Sequence, residues 1–493
     1  MTAPDEIVPW WSFGSLAGRD TSPACRSSSV ADTRISIVLS RSGHKNMAAH
    51  ASPTNRAHRP TPLTERQYVL PLVLITSLFF MWAFGVNLND ILIPHLKKAF
   101  GLTDFRSSLI QTAFFGGYFL AALPAGRVME RIGYKRGILI GLLMCAAGAL
   151  LIVPAASARV YGFFLFALFV MACGQSFLEV AANPYVTILG PAETSERRLN
   201  LAQSFNAVGA VVTPIVGAAF ILTVTQYSST QLYAMSPEQL QSYQIAEANT
   251  VKAPYLVISG MFLALAALIY FAHLPEIREH NEEGAVETGA KRLRGILEHG
   301  HLLKGVTAQF FYVGAQVGVA SFVIRFAQHI ASGTPEKIAA NYLKLHLLGF
   351  MIGRFAGAAM MKRIAAPRLL SLFAAGAFIC AVIAVLSSGV IPLWAIVFIG
   401  FFHSIMFPTI FALSLKQLGP YTKLGSSLLV MSIIGGAVFP AVMGRISDLS
   451  NIQRAFMVPL ICYAYVLYFA VRGYRPHLST DLARAATAPI EAE

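Results

Sequence analysis

The chain has 493 residues, of which 55% are hydrophobic and 13% charged, and a mean hydropathy of +0.59. That usage excludes an ordinary soluble domain and fits an integral membrane protein. The net charge of +14 would suggest nucleic-acid binding in a soluble protein, but here the basic residues gather in short segments between apolar spans, where they set orientation. No nucleic-acid partner is expected.

Residues 1–66 are rich in Ser, Arg, Ala and Pro and read as a disordered tail. Met47 opens a short polar lead-in, MAAHASPTNRAHRPTPLTERQ, and is an alternative start of translation. A membrane-crossing helix needs about 20 mostly apolar residues. Scanning for these predicts spans at 69–92, 107–131, 136–155, 160–188, 200–225 and 254–273, then 303–330, 341–361, 369–388, 392–415, 425–446 and 455–473. The expected fold is an all-α membrane protein with twelve transmembrane helices in two pseudo-symmetric six-helix bundles, at 67–273 and 302–474. A cytoplasmic linker at 274–301 joins them, and a cytoplasmic tail occupies 475–493. Spans four and ten are long enough to be tilted or broken.

Span one carries Trp82, Asn87 and Asp90, with Asn87 and Asp90 three residues apart on one helical face. A carboxyl at membrane depth is costly and marks a functional site by default; the bland alternative is an acid at a helix end. That alternative loses weight because the apolar run continues past Asp90. Arg127, at the end of span two, and Lys135 and Arg136, at the junction with span three, have Arg354, among span eight's glycines, as their second-half counterpart. These four residues are expected at a cytoplasmic gate, against a simpler reading as positive-inside anchors.

Span four is the most informative. Glu179 has membrane-type residues on both sides, no Lys or Arg within one or two helical turns, and Gln175 and Asn183 four residues either side. A Glu there must be protonated, paired across helices or wetted by a cavity. A carboxyl able to exchange its proton is what proton coupling requires. Span five adds Asn200, Gln203 and Asn206, and span seven adds Gln309, Tyr312 and Gln316. Singly, such amides serve as interhelical glue as readily as ligand contacts; together they suggest a polar cavity suited to sugar hydroxyls. Trp82, Phe84, Phe114 and Tyr118 are the aromatics available to stack on a sugar ring. His346 and His403 are lone histidines on apolar helices and read as packing or hydrogen-bonding groups. Gly349, Gly353 and Gly357, four apart, fit close helix contact.

Internal echoes relate the two halves. PAGRVMERIGYKRG matches FAGAAMMKRIAAPRLL, and NPYVTILGP leading to NAVGAVVTPIVG matches FPTIFALSLKQLGP leading to SIIGGAVFPAVMG. Such repeats mark two-bundle transporters with the site between halves. With both termini inside, five basic loops are cytoplasmic, and the polar segment TQYSSTQLYAMSPEQLQSYQIAEANTVKAPY is an outward-facing loop. The chain has no phosphate loop, no paired Cys and no HExxH, so neither ATP-driven transport, nor a bound metal, nor an enzyme is expected.

Eight segments, in order, resemble one family: FFMWAFGVNLNDILIPHLKKAF, FLEVAANPYVTILGP, RLNLAQSFN, AMSPEQLQSY, QFFYVGAQ, IGRFAG, PTIFALSLKQLG and TKLGSSLLVMSIIGGAVFPAVMG. They are similar to the fucose/glucose/galactose sugar:proton symporters of the major facilitator superfamily, from about Gln67 to Arg475. Glu179, the run Asn200-Leu201-Ala202-Gln203 and the AMSPEQL loop favour the L-fucose branch. The resemblance implies that Asp90 and Glu179 are the family's two essential, proton-coupling carboxyls, with Gln203 and Asn206 on the matching span-five face. It also implies import of L-fucose or a close stereochemical relative with a proton, by a monomer in a bacterial inner membrane, with the proton as coupling ion and no cofactor. A glucose/galactose carrier, proton- or sodium-coupled, is the alternative, and a transporter-like sugar receptor is the alternative of another class. Gly85-Val86 and Gly318-Val319-Ala320 depart from the fucose pattern.

Overall fold

The computed structural model describes residues 62–100, 104–221, 235–275, 295–331 and 334–476. The helices among these follow the predicted spans. Helix α1 is Val69–Phe100, α2 is Asp104–Ala158, α3 is Tyr161–Ile188, α4 is Ser195–Ile221, α5 is Pro237–Thr250 and α6 is Lys252–Phe271. The second series is α7, Gly300–Ile330; α8, Glu336–Met360; α9, Ala366–Leu386; α10, Ile391–His403; α11, Met406–Ser414; α12, Thr422–Met431; α13, Gly435–Leu449; α14, Ile452–Ala455; and α15, Met457–Tyr468. Ten helical stretches among the described residues are apolar and long enough to cross a membrane.

Predicted spans two and three run together as α2, which breaks at Gly133 with φ 82° and ψ 173°. Glycine tolerates that conformation because it has no Cβ. Span ten is broken as expected, with α10 ending at His403 and α11 starting at Met406. Span four, in contrast, is one continuous 28-residue helix with Pro184 inside it.

Two expectations need correction. The outward polar loop is not wholly loop, because its later part forms α5. Ser236 caps that helix by accepting from Gln239 N at 3.2 Å, the Gln239 side chain returns to Ser236 N at 3.1 Å, and Pro237 holds the first helical position. The tail also ends earlier than residue 66. Buried Arg198 donates to Leu63 O at 2.9 Å and to Val186 O at 2.8 Å, and the Thr64 hydroxyl donates to Leu189 O at 2.6 Å. One guanidinium thus collects carbonyls from the lead-in and from the α3–α4 connection and straps them together.

Exposed leucines, valines and phenylalanines ring the outer helix faces, including Leu70, Leu120, Phe166, Leu268, Leu372 and Phe398. On a multi-pass membrane protein these faces meet lipid. Small residues permit the tight contacts inside. Along α8, Gly349, Gly353 and Gly357 lie against Phe401, Ser404 and Ile405, where an added Cβ would stand 3.4, 2.5 and 2.1 Å from the nearest atom. The small-residue ridge therefore seats α8 on the α10–α11 break.

Candidate functional site

The polar residues of α3 lie on its most buried stretch, Met171 to Val186. Glu179 is 4% exposed, and Gln175 and Asn183 are fully buried. A hydrogen-bonded line orients Gln175. Trp82 Nε1 can only donate, and it donates to Tyr118 OH at 3.1 Å; the tyrosine proton then goes to Gln175 Oε1 at 3.2 Å. The Gln175 Nε2 group is left buried without a hydrogen-bond partner, close against Gly85. Gln175 therefore holds an unspent amide donor one helical turn before Glu179, while the Asn183 amide, one turn after it, is turned to the carboxyl.

The second bundle reaches this cluster through Arg354. It is 4% exposed, and its Nη1 donates to Gln203 O at 2.9 Å and Gln203 Oε1 at 3.0 Å. Gln203 Nε2 passes the contact on to Asn183 Oδ1 at 3.0 Å. The Arg354 charge acts on Glu179 and on Tyr312 through space, while its own guanidinium lies 4.7 Å from the Phe350 ring centroid. Arg354 was expected at a cytoplasmic gate. The three glycines of α8, Gly349, Gly353 and Gly357, draw that helix inward and place the guanidinium between the bundles.

The other basic positions differ from one another. Lys135 caps the end of α6, donating to Tyr270 O at 3.0 Å and Ala272 O at 2.8 Å, as a cation at a helix C-terminus should. This ties it to the first bundle. Arg127 and Arg136 are exposed. Contacts that do join the bundles on this side come from residues other than the four expected at the gate. Lys416 pairs with buried Glu196, Asn200 Nδ2 donates to Thr409 Oγ1 at 3.0 Å, and Ser426 donates to Val180 O at 3.0 Å. Lys423 Nζ sits 5.0 Å from the Tyr134 ring centroid. Gly126 allows α12 to approach so closely that a Cβ there would meet Ser427 Oγ at 2.0 Å. The face bearing residues 195–200 and 415–423 is closed.

Several other predicted contacts are already committed. Asn206 Nδ2 donates to Phe79 O at 3.1 Å, tying α4 to α1. Asn87 Nδ2 donates within its own helix to Ala83 O at 2.7 Å. Tyr312, fully buried, donates its hydroxyl to His403 O at 2.9 Å and so satisfies the α10 break. Gln316 is half-buried and has no hydrogen-bond partner among the described residues. Asp90 belongs to α1 by its backbone; its side chain lies outside the described residues. His403 Nε2 meets Tyr463 OH at 2.6 Å and His346 Nδ1 meets Ile396 O at 2.9 Å, in keeping with hydrogen-bonding roles.

Two helical bundles joined through buried polar groups, with lipid-facing apolar surfaces, define a multi-pass membrane transporter. The chain belongs to the Major Facilitator Superfamily, whose family model matches residues 74–440. It is 42% identical over 426 residues to a glucose/galactose transporter of Brucella abortus biovar 1 (strain 9-941), covering 86% of this chain and 99% of that protein. It is also 42% identical over 411 residues to the L-fucose-proton symporter of Escherichia coli (strain K12), covering 82% of this chain and 93% of that one. The crystal structure of the transporter FucP in the outward conformation superposes with a TM-score of 0.79 and 41% identity, covering 84% of this chain and 100% of that chain. Identity alone does not divide the two sugar branches.

Proposed function

We propose that this protein imports L-fucose, or a close stereochemical relative, together with a proton by alternating access. The observation carrying this reading is that Arg354 of the second bundle meets Gln203 and Asn183 beside the buried carboxyl of Glu179. With Glu179 ionised, its charge offsets that of Arg354 in a low-dielectric interior. Protonation of Glu179 leaves the guanidinium uncompensated, weakens its hold on the first bundle and frees α4 and α8 to separate. Sugar hydroxyls accept from the free Nε2 donor of Gln175, donate to the Asn87 side-chain oxygen and pair with Gln316, next to the Trp82 ring. Asp90, on the same helical face as Asn87, senses the bound sugar.

In this reading the protein is a monomer of the bacterial inner membrane with both termini cytoplasmic. The closed face is then the cytoplasmic one, and the conformation faces outward. The chain folds as two six-helix halves joined by the 274–301 linker. A glucose or galactose substrate is the second reading, favoured by the equal identity to the Brucella transporter.

The test is reconstitution into sodium-free liposomes with a trapped pH dye. Luminal acidification on external L-fucose, and none on D-glucose or D-galactose, is the expected outcome. Acidification by D-glucose or D-galactose alone would transfer the protein to the second reading, and a silent dye with all three sugars would remove proton symport altogether.

A further inference from the structure

A cavity of about 430 Å3 opens on the closed face, at the seam between α4 and α8. Pro62, Leu63, Glu193, Thr194 and Arg197 line one side, and Met361 and Lys362 the other. The first wall is rigid. Fully buried Arg198 grips Leu63 O and Pro191 O at 2.9 and 3.1 Å, and the Thr194 hydroxyl donates to Leu63 O at 3.2 Å. The recess therefore exists before any ligand arrives.

Its charge and its surroundings specify the ligand. Arg197 and Lys362 have no ion pair or hydrogen bond among the described residues. Against them stands one acid, Glu193, so two cations less one carboxylate leave a single positive charge in the lining. One phosphodiester neutralises it. Phe205 lies eight residues after Arg197 on α4 and shares its helical face, and Phe355 lies on the last turns of α8, which ends at Met360, two residues short of Lys362. At 1.5 Å per residue the Phe205 ring sits about 12 Å along α4 from Arg197, and the two rings lie together. They pack edge to face, with centroids 6.2 Å apart, and each residue is 40% exposed. A basic recess above an exposed aromatic seam fits an amphiphile; inorganic phosphate would use only the upper half.

We propose that the α4–α8 seam binds an anionic phospholipid, with its phosphodiester between Arg197 and Lys362 and an acyl chain along Phe205 and Phe355. Basic pockets between transmembrane helices at the cytoplasmic surface hold such headgroups by charge. Because α4 and α8 belong to different bundles, a lipid bridging them favours the conformation in which they touch. Arg354 and Gln203, whose bond holds that conformation, lie directly beside Phe355 and two residues from Phe205.

The experiment is native mass spectrometry of the purified full chain in detergent supplemented with equal phosphatidylglycerol and phosphatidylcholine. The wild type should retain phosphatidylglycerol in preference, and Lys362→Gln and Arg197→Gln should each lower that preference roughly fivefold. Phe205→Ala with Phe355→Ala should keep the headgroup preference but release lipid at lower collision energy. Inorganic phosphate should displace nothing. Equal retention of both lipids by the wild type, or an unchanged preference in Lys362→Gln, an exposed position where folding is not at stake, would overturn the proposal. Full displacement by inorganic phosphate would overturn the lipid assignment in favour of a free anion.

Discussion

Arg354 and Gln203 meet twice across the bundle interface, through the Gln203 carbonyl at 2.9 Å and its side-chain oxygen at 3.0 Å. Both bonds use one guanidinium nitrogen, while Arg354 Nε remains buried without a partner. A hydrogen bond to a charged group contributes about 1.5–3 kcal/mol. Arg354→Gln should therefore lower the population of the closed conformation more than tenfold, and concentrative sugar uptake with it. Arg354→Lys should restore uptake only in part, because its ammonium can donate to both acceptors from one nitrogen but is more strongly hydrated than a guanidinium and costs more to bury. Uptake by proteoliposomes under an imposed pH gradient measures both. Full uptake in the lysine variant would show that charge alone suffices.

Glu179→Gln replaces the carboxyl by a permanently neutral group of the same shape. If the proton enters at Glu179, this variant should exchange labelled for unlabelled sugar across the membrane while losing sugar-driven acidification. Glu179→Ala should lose concentrative uptake as well. A glutamine variant that still acidifies the lumen would place the coupling proton elsewhere.

Much of this site was legible in the sequence because α3 is apolar enough to make Glu179, Gln175 and Asn183 conspicuous, at a spacing that puts all three on one face. The partner of Glu179 was not legible. Arg354 sits 175 positions away, and nothing in IGRFAG states which way a guanidinium will turn until α8 is seated on the α10–α11 break. Amide bookkeeping was equally hidden, since Asn206 and Asn87 look as available as Gln316 until their acceptors Phe79 O and Ala83 O are seen. The apolar stretches among the described residues needed only hydropathy. The strap at Leu63 and helix α5 needed side-chain capping by Arg198 and Ser236, the second of which the SPEQ signature does announce.

Glu196 and Lys416 join the bundles at the closed face, the acid buried and the lysine side chain 41% exposed. Solvent screening on the lysine side keeps the pair to about 1 kcal/mol or less. Lys416→Glu should shift the conformational balance toward opening of this face by no more than about fivefold, and Glu196→Lys combined with Lys416→Glu should recover part of it. Alkylation of a cysteine placed at Thr409, which faces Asn200 behind the pair, reports the opening. An alkylation rate unmoved by the single reversal would show that Asn200, Ser426 and the Gly126 contact hold the face closed without the ion pair.

Gly400 and Gly162 are both helical glycines, and the same change should act on them with opposite sign. A Cβ at Gly400 would stand 2.2 Å from the His346 backbone oxygen and 2.8 Å from its carbon. Backbone cannot rotate out of the way, so Gly400→Ala must push α8 off α10 and should destabilise the fold by roughly 1–3 kcal/mol. A Cβ at Gly162 meets nothing within 4 Å, so Gly162→Ala gains helix propensity and should stabilise by about 0.5–1 kcal/mol. Thermal unfolding in detergent, followed through cysteine reactivity of buried Cys462, orders the three proteins. Gly400→Ala should also weaken Arg354's reach to Gln203, because Gly353, next to Arg354, rests on the same α10 surface; a destabilised variant with unimpaired uptake would separate the packing of α8 from the setting of its arginine.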